Sequence, residues 1–219
     1  MPLNSVLRRC LWLAALSPAF SVAAPDPAPL HAEFVDPASP GVAPIRQAGE
    51  IAVGAVGKKL LTALNTALAA GGPAAAVLVC QTQALPLTAE KLADQPTLVS
   101  VKRTSLRLRN PANAPDAAER LALDHVAKLV AAGQPPPPVL VQRIQPSGTA
   151  KPEWRVYRPI ATKAECLVCH GDPATQSPAL RAALQTRYPT DAATGYAADQ
   201  WRGLFRVTIA PAPAPSARP

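Results

Sequence analysis

The stretch "VLVQRIQPSGTAKPEWRVYRPI", Val139–Ile160, decides the fold class. Two runs rich in branched and aromatic residues, Val139–Gln145 and Trp154–Ile160, flank a short polar loop with the turn Pro146-Ser147-Gly148, which is a hairpin pattern. Upstream, Ile45, Ala48, Ala52, Val56, Leu60, Leu64 and Leu68 recur every three or four residues and predict a helix that stops at Gly71-Gly72. Pro73 then opens a short apolar segment, Ala74–Thr82, that carries Cys80. Thr97–Arg109 reads as a strand with Arg103, Ser105, Arg107 and Arg109 on one cationic face. After the turn Asn110–Pro115, Asp116 opens an amphipathic helix with the stripe Leu121, His125, Leu129, ended by Gly133 and Pro135–Pro138. Ser177-Pro178 caps a helix running towards Arg187, and Leu204–Ile209 is the last strand. Helices first, then strands joined by a tight hairpin and interrupted by helices, predict an α+β fold with an antiparallel sheet flanked by helices rather than a βαβ winding.

A chain of 219 residues fits one domain with a core of its own. Residues 1–23 read as an export signal: Arg8 and Arg9 are basic, Leu11–Phe20 is apolar, and Ser21-Val22-Ala23 is a small-residue cleavage site. That apolar run is much shorter than the roughly 20 residues of a membrane span, so the mature chain is expected to be soluble in the periplasm with no transmembrane segment. Residues 24–44 are a Pro-rich leader, 45–210 the folded domain and 211–219 a Pro/Ala tail. The formal charge of +8 does not point to nucleic acid, because only 4% of residues are aromatic and the arginines are scattered rather than interleaved with aromatics. It reads as surface charge, a docking face, or pairing with an acidic cofactor.

The hairpin runs directly into "ECLVCHG", Glu165–Gly171. Cys166 and Cys169 have the spacing that attaches a c-type haem through two thioethers, and His170 follows at once to reach the iron. A zinc knuckle would need a second ligand pair at short spacing, and the sequence has none. A thioredoxin-like dithiol would need a βαβ setting that the strand pattern does not give. Cys10 leaves with the signal, so three cysteines remain, and one covalent haem consumes two of them.

Four stretches in the same order and spacing resemble the small exported c-type haem domains with a PAS-like fold, the Tll0287-like group. They are "KRTSLRLRNPANAPDAAE" (Lys102–Glu119), "YRPI" (Tyr157–Ile160), "CLVCHG" and "GYAADQWRGLFRVTI" (Gly195–Ile209). The resemblance spans about Gln47 to Ile209. It implies a PAS-like antiparallel sheet with helices on it, haem held by the C-terminal CxxCH, and work as a redox or ligand sensor or an electron carrier.

His170 takes one side of the iron. Met1, the only methionine, leaves with the signal, so the other side falls to Cys80, His125, His31, a lysine, water or nothing. His31 lies in the leader, and His125 on a helix stripe is more often a packed residue than a ligand. Cys80 is either an inert buried thiol or the ligand, and the resemblance implies the ligand. Arg103, Arg107 and Arg109 are candidates for the haem propionates, with a solvated strand face as the alternative. Tyr157, Pro159 and Trp201 are candidate walls of the haem pocket, with ordinary core as the equal alternative. The expected role is therefore non-enzymatic: redox sensing or single-electron transfer with an unidentified periplasmic partner. The alternative is a five-coordinate haem that binds gas or peroxide, or a haem enzyme.

Overall fold

The computed structural model describes residues 31–82, 98–145 and 151–210. The signal, the tail and the hairpin turn Pro146-Ser147-Gly148 lie outside the described residues. The strands are β1 (His31–Val35), β2 (Leu98–Thr104), β3 (Leu140–Gln145), β4 (Glu153–Ala161) and β5 (Trp201–Ile209), and the long helices are α1 (Ala43–Thr82), α2 (Ala117–Ala131) and α3 (Pro178–Arg187). All strand pairs are antiparallel, and the order across the sheet is β1-β3-β4-β5-β2. The expected α+β class with an antiparallel sheet holds.

The register places Leu140 opposite Tyr157 and Val141 opposite Val156. Because side chains alternate across a pleated sheet, the two pairs serve different layers. Val141, Val156 and Val207 pack with Ala52, Val53 and Val56 of α1. Leu140, Tyr157 and Leu204 pack with Ala122, Leu123 and Val126 of α2. Contact between α1 and β4 is close enough that a Cβ on Gly49 would sit 2.4 Å from Val156 Cβ. The Ala43–Cys80 part of α1 is long enough to cross a membrane and contains an 18-residue window of mean hydropathy 1.6, of which 17% is buried; Val53 and Val56 of this helix pack against the sheet.

Gly72 breaks α1 with φ 71° and ψ −171°, a conformation that costs a residue without Cβ little, and Pro73 starts the second stretch. That second stretch leaves the sheet: Val77 packs with Leu180, Leu184 and Tyr188 at α3, and Cys169 packs against the same cluster.

Several expectations need correction. His31–Val35, placed in a leader, is an edge strand paired with β3, because "HAEFV" is a proline-free run facing that strand's open edge. The cationic strand ends at Thr104, five residues early. Ser105 Oγ instead bonds the Arg202 carbonyl at 2.6 Å and the Arg107 carbonyl at 3.1 Å, so the chain turns out of the ladder and Arg107 and Arg109 are not on a strand face. The buried line of α2 is Ala118, Ala122, Leu123 and Val126, while Leu121 is exposed. Glu119 sets that rotation. Fully buried in a capping box with Asp116, it is held by Lys102 Nζ at 2.7 Å and Arg206 Nε at 2.8 Å.

Candidate functional site

In the antiparallel sheet, the end of β2, the end of β4 and the start of β5 meet at one edge. A cavity of about 250 Å³ lies there. Leu64, Leu68 and Val77 of α1, Ile160 of β4, and Leu184 and Tyr188 from α3 and its end give it mostly apolar walls. Into it face Cys166, Cys169 and His170 from the turn after β4, and Cys80 from the second stretch of α1. All three cysteines are free thiols. The folding that puts them together is local on one side and distant on the other. Cys166 to His170 sit on consecutive short helical turns, Ala164–Cys166 and Leu167–His170, which bring the thiols and the imidazole to one wall, while Cys80 arrives from α1.

The His170 ring is fixed from behind. Its Nδ1 lies 2.7 Å from the Ala193 carbonyl, which can only accept, so the neutral ring carries its proton on Nδ1 and keeps Nε2 free. Burial, with Arg202 and Arg109 positive nearby, pushes the His170 pKa down to about 2 and keeps the ring neutral. Tyr196 stands edge-on to the ring, with centroids 6.4 Å apart. The segment carrying Ala193 is tied on both sides. Tyr196 N donates to the His170 carbonyl at 2.9 Å and Gly195 N to the Gly171 carbonyl at 2.7 Å, while Ala192 N donates to the Leu108 carbonyl at 2.8 Å.

Arg107 and Arg109 complete this brace. Arg107 donates to the carbonyls of Ala192 and Thr194 and stacks over the Tyr196 ring at 4.2 Å. Arg109 pairs with Asp191 at 2.8 Å and donates to the carbonyls of Cys169 at 2.5 Å and Ala193 at 3.3 Å. Arg107 thus acts as a strut, and Arg109, although it reaches the cavity wall, already has its counter-charge. Arg103 does line the cavity. Cys80 faces it with its thiol pKa raised by burial, against the lowering pull of Arg103, Arg109 and Arg202.

Tyr157 and Trp201 are not walls of this cavity. Tyr157 is fully buried on the α2 side, where its hydroxyl donates to Gln142 Oε1 at 2.8 Å and burial raises its pKa. Trp201 packs on the same α2 cluster, because its alternation along β5 turns its neighbour Arg202 to the cavity instead. Neither other histidine reaches the site. His125 stacks on Phe34 with ring centroids 4.7 Å apart, and His31 lies on edge strand β1 beside Glu33 and Arg143. Among the described residues, no three His, Cys, Asp or Glu side chains converge as a metal cage.

The family model described as Tll0287 matches residues 39–210. The chain belongs to the Tll0287-like family. A solved structure described as the crystal structure of the cyanobacterial heme-protein Tll0287 is similar at 24% identity over 79% of this chain and 97% of that one, with a TM-score of 0.45. No curated protein matches. The span of the Tll0287-like match takes in every residue of the cavity named above. Two residues of this site escaped the sequence reading. Arg202 sits inside the quoted "QWRGLF" stretch, where strand alternation starting from Trp201 would have found it. Ala193 acts through its carbonyl and carries no side-chain signal.

Proposed function

We propose that this chain is a periplasmic haem protein that binds one covalent haem c and works in redox sensing or single-electron transfer. Cys166 and Cys169 would form the thioethers, and His170 Nε2 and the Cys80 thiolate would ligate the iron. The reading rests on one observation: a neutral His170 ring held by the Ala193 carbonyl leaves Nε2 free in the apolar cavity that Cys80 also lines. Membership of a family that includes a heme-protein supports the cofactor. The residues fit the group, since two free thiols and an imidazole share one wall and the other walls are mostly apolar, with Arg103, Arg109 and Arg202 supplying positive charge. Bound iron would supply one-electron chemistry, and a thiolate donor favours its ferric state.

The protein's own part is to hold and to shield. The segment Asp191–Tyr196 keeps the imidazole in one tautomer and one orientation, and Leu64, Leu68 and Val77 exclude water from the Cys80 side. A PAS-like description agrees with a meander β3-β4-β5 that has the earlier strand β2 beside β5. Partners would be a separate redox or signalling protein of the periplasm, and no catalytic role is assigned.

The test is a haem stain on a denaturing gel of chain expressed with haem-attachment machinery. The parent should stain at one haem per chain, and Cys166→Ala or Cys169→Ala should reduce or abolish the stain. Cys80→Ala should stay stained while its ferric spectrum turns from low-spin to high-spin and its midpoint potential rises. An unstained parent overturns the haem reading. An unchanged ferric spectrum in Cys80→Ala removes the thiolate ligand, and a high-spin parent returns the five-coordinate, gas- or peroxide-binding alternative.

A further inference from the structure

Beside the apolar cavity lies a smaller polar one of about 90 Å³. The two share Cys80, Arg103, Arg109, His170, Tyr188 and Arg202, but Cys166 and Cys169 line only the apolar one. The polar annex therefore lies away from the wall that carries the thiols. Its lining includes three buried polar atoms without a hydrogen-bond partner: Arg103 Nε, Arg202 Nε and Thr104 Oγ1. Thr104 is 2% exposed. Leaving such atoms unpaired costs on the order of 1–3 kcal/mol each, so a fold that keeps three of them in one place is built around an absent acceptor.

The charges point the same way. Of the four arginines lining the annex, Arg109 is neutralised by Asp191, and Arg107 donates to two carbonyls and lies over Tyr196. Arg103 and Arg202 form no ion pair among the described residues. Both are buried. Desolvation, then the positive charge of Arg103, brings the Arg202 pKa down to about 10, and desolvation lowers that of Arg103. Two buried guanidiniums without an acid call for two negative charges with planar, two-oxygen geometry, which is the geometry of carboxylates. Haem carries two propionates on the edge opposite the one that reacts with thiols.

We propose that Arg103, Arg202 and the Thr104 hydroxyl seat the two haem propionates in this annex. The assignment rests on the haem reading above and deepens it. It leaves Arg107 and Arg109 to brace His170 and brings in Arg202 and Thr104, which the sequence motif did not single out. Each guanidinium faces a carboxylate, and the Thr104 hydroxyl donates to one of them, so all three orphaned atoms gain partners.

The experiment uses the haem-loaded full chain and its Arg103→Gln, Arg202→Gln and Arg202→Lys variants, with Arg143→Gln as a distant cationic control. Its readouts are the propionate-bending bands in resonance Raman spectra and the midpoint potential. The two Gln variants should shift the bands and lower the potential with the haem still attached, because removing a nearby positive charge favours ferric iron. Arg202→Lys keeps the charge but not the fork, so it should shift the bands while largely keeping the potential, and it serves if Arg202→Gln fails to fold. Arg143→Gln should leave the bands in place. Unmoved bands in every Arg103 and Arg202 variant, with haem attached, would overturn the seat and leave the haem reading standing. A parent that does not stain for haem removes both.

Discussion

Arg109→Met tests the brace behind His170. The guanidinium and the Asp191 carboxylate are each only 11% exposed and lie 2.8 Å apart, and Arg109 also donates to the Cys169 and Ala193 carbonyls. Removing one partner of a buried pair typically costs about 3–5 kcal/mol, most of it from the charge left behind. Here Asp191 would keep the hydrogen bond from Ala193 N at 2.8 Å and a little solvent contact, so about 2–4 kcal/mol is expected. Methionine fills much of the space of the arginine stem, which limits any cavity contribution. Urea unfolding followed by tryptophan fluorescence should show a lower midpoint with an unchanged slope. Adding Asp191→Asn should recover part of the loss, giving a coupling of about 1–2 kcal/mol in the double-mutant cycle. A single-variant loss below about 1 kcal/mol, or strictly additive losses, would refute the brace.

Two further outcomes can be checked by the same unfolding measurements. Gly49→Ala would press its methyl into Val156, which is fully buried on the middle strand, and should destabilise by about 1–3 kcal/mol; a neutral result would mean that α1 shifts freely on β4. Burial raises the Asp116 pKa, but the Glu119 amide and Arg155 outweigh it, so the folded value lies below the ordinary one. Its contribution is therefore present above pH about 4 and lost as the pH falls through the folded value. Asp116→Asn, which still caps the helix, should cost about 0.5–1 kcal/mol near neutrality after allowance for solvent screening, and the gap to the parent should close towards pH 2. A gap that widened in acid would contradict this.

The hairpin, the helix caps at Asp116 and Ser177, and the break at Gly72 were legible because each is set by residues close in sequence. Cys166, Cys169 and His170 were legible as a motif. The arginines' bracing role was not legible because their partners are remote: Arg107 and Arg109 reach carbonyls more than 80 residues downstream, and no periodicity encodes that. The α2 stripe failed for a related reason. Apolar periodicity favoured Leu121 and His125, while a buried carboxylate with two cationic partners on other strands turned the helix towards Ala122 and Val126. The edge strand was hidden by its proline-rich surroundings, since only the free edge of β3 gives those five residues a partner.

The break at Gly72 divides the fate of α1. The turns from Ala48 to Leu60 are bound to the sheet, and their amide protons should exchange with solvent only when the sheet itself opens. The turns after Gly72 are bound to α3 and to the cavity wall, so their protection depends on whatever fills that cavity. The two stretches of α1 thus contain two reporters, one of global unfolding between Ala48 and Leu60 and one of occupancy from Leu64 to Cys80.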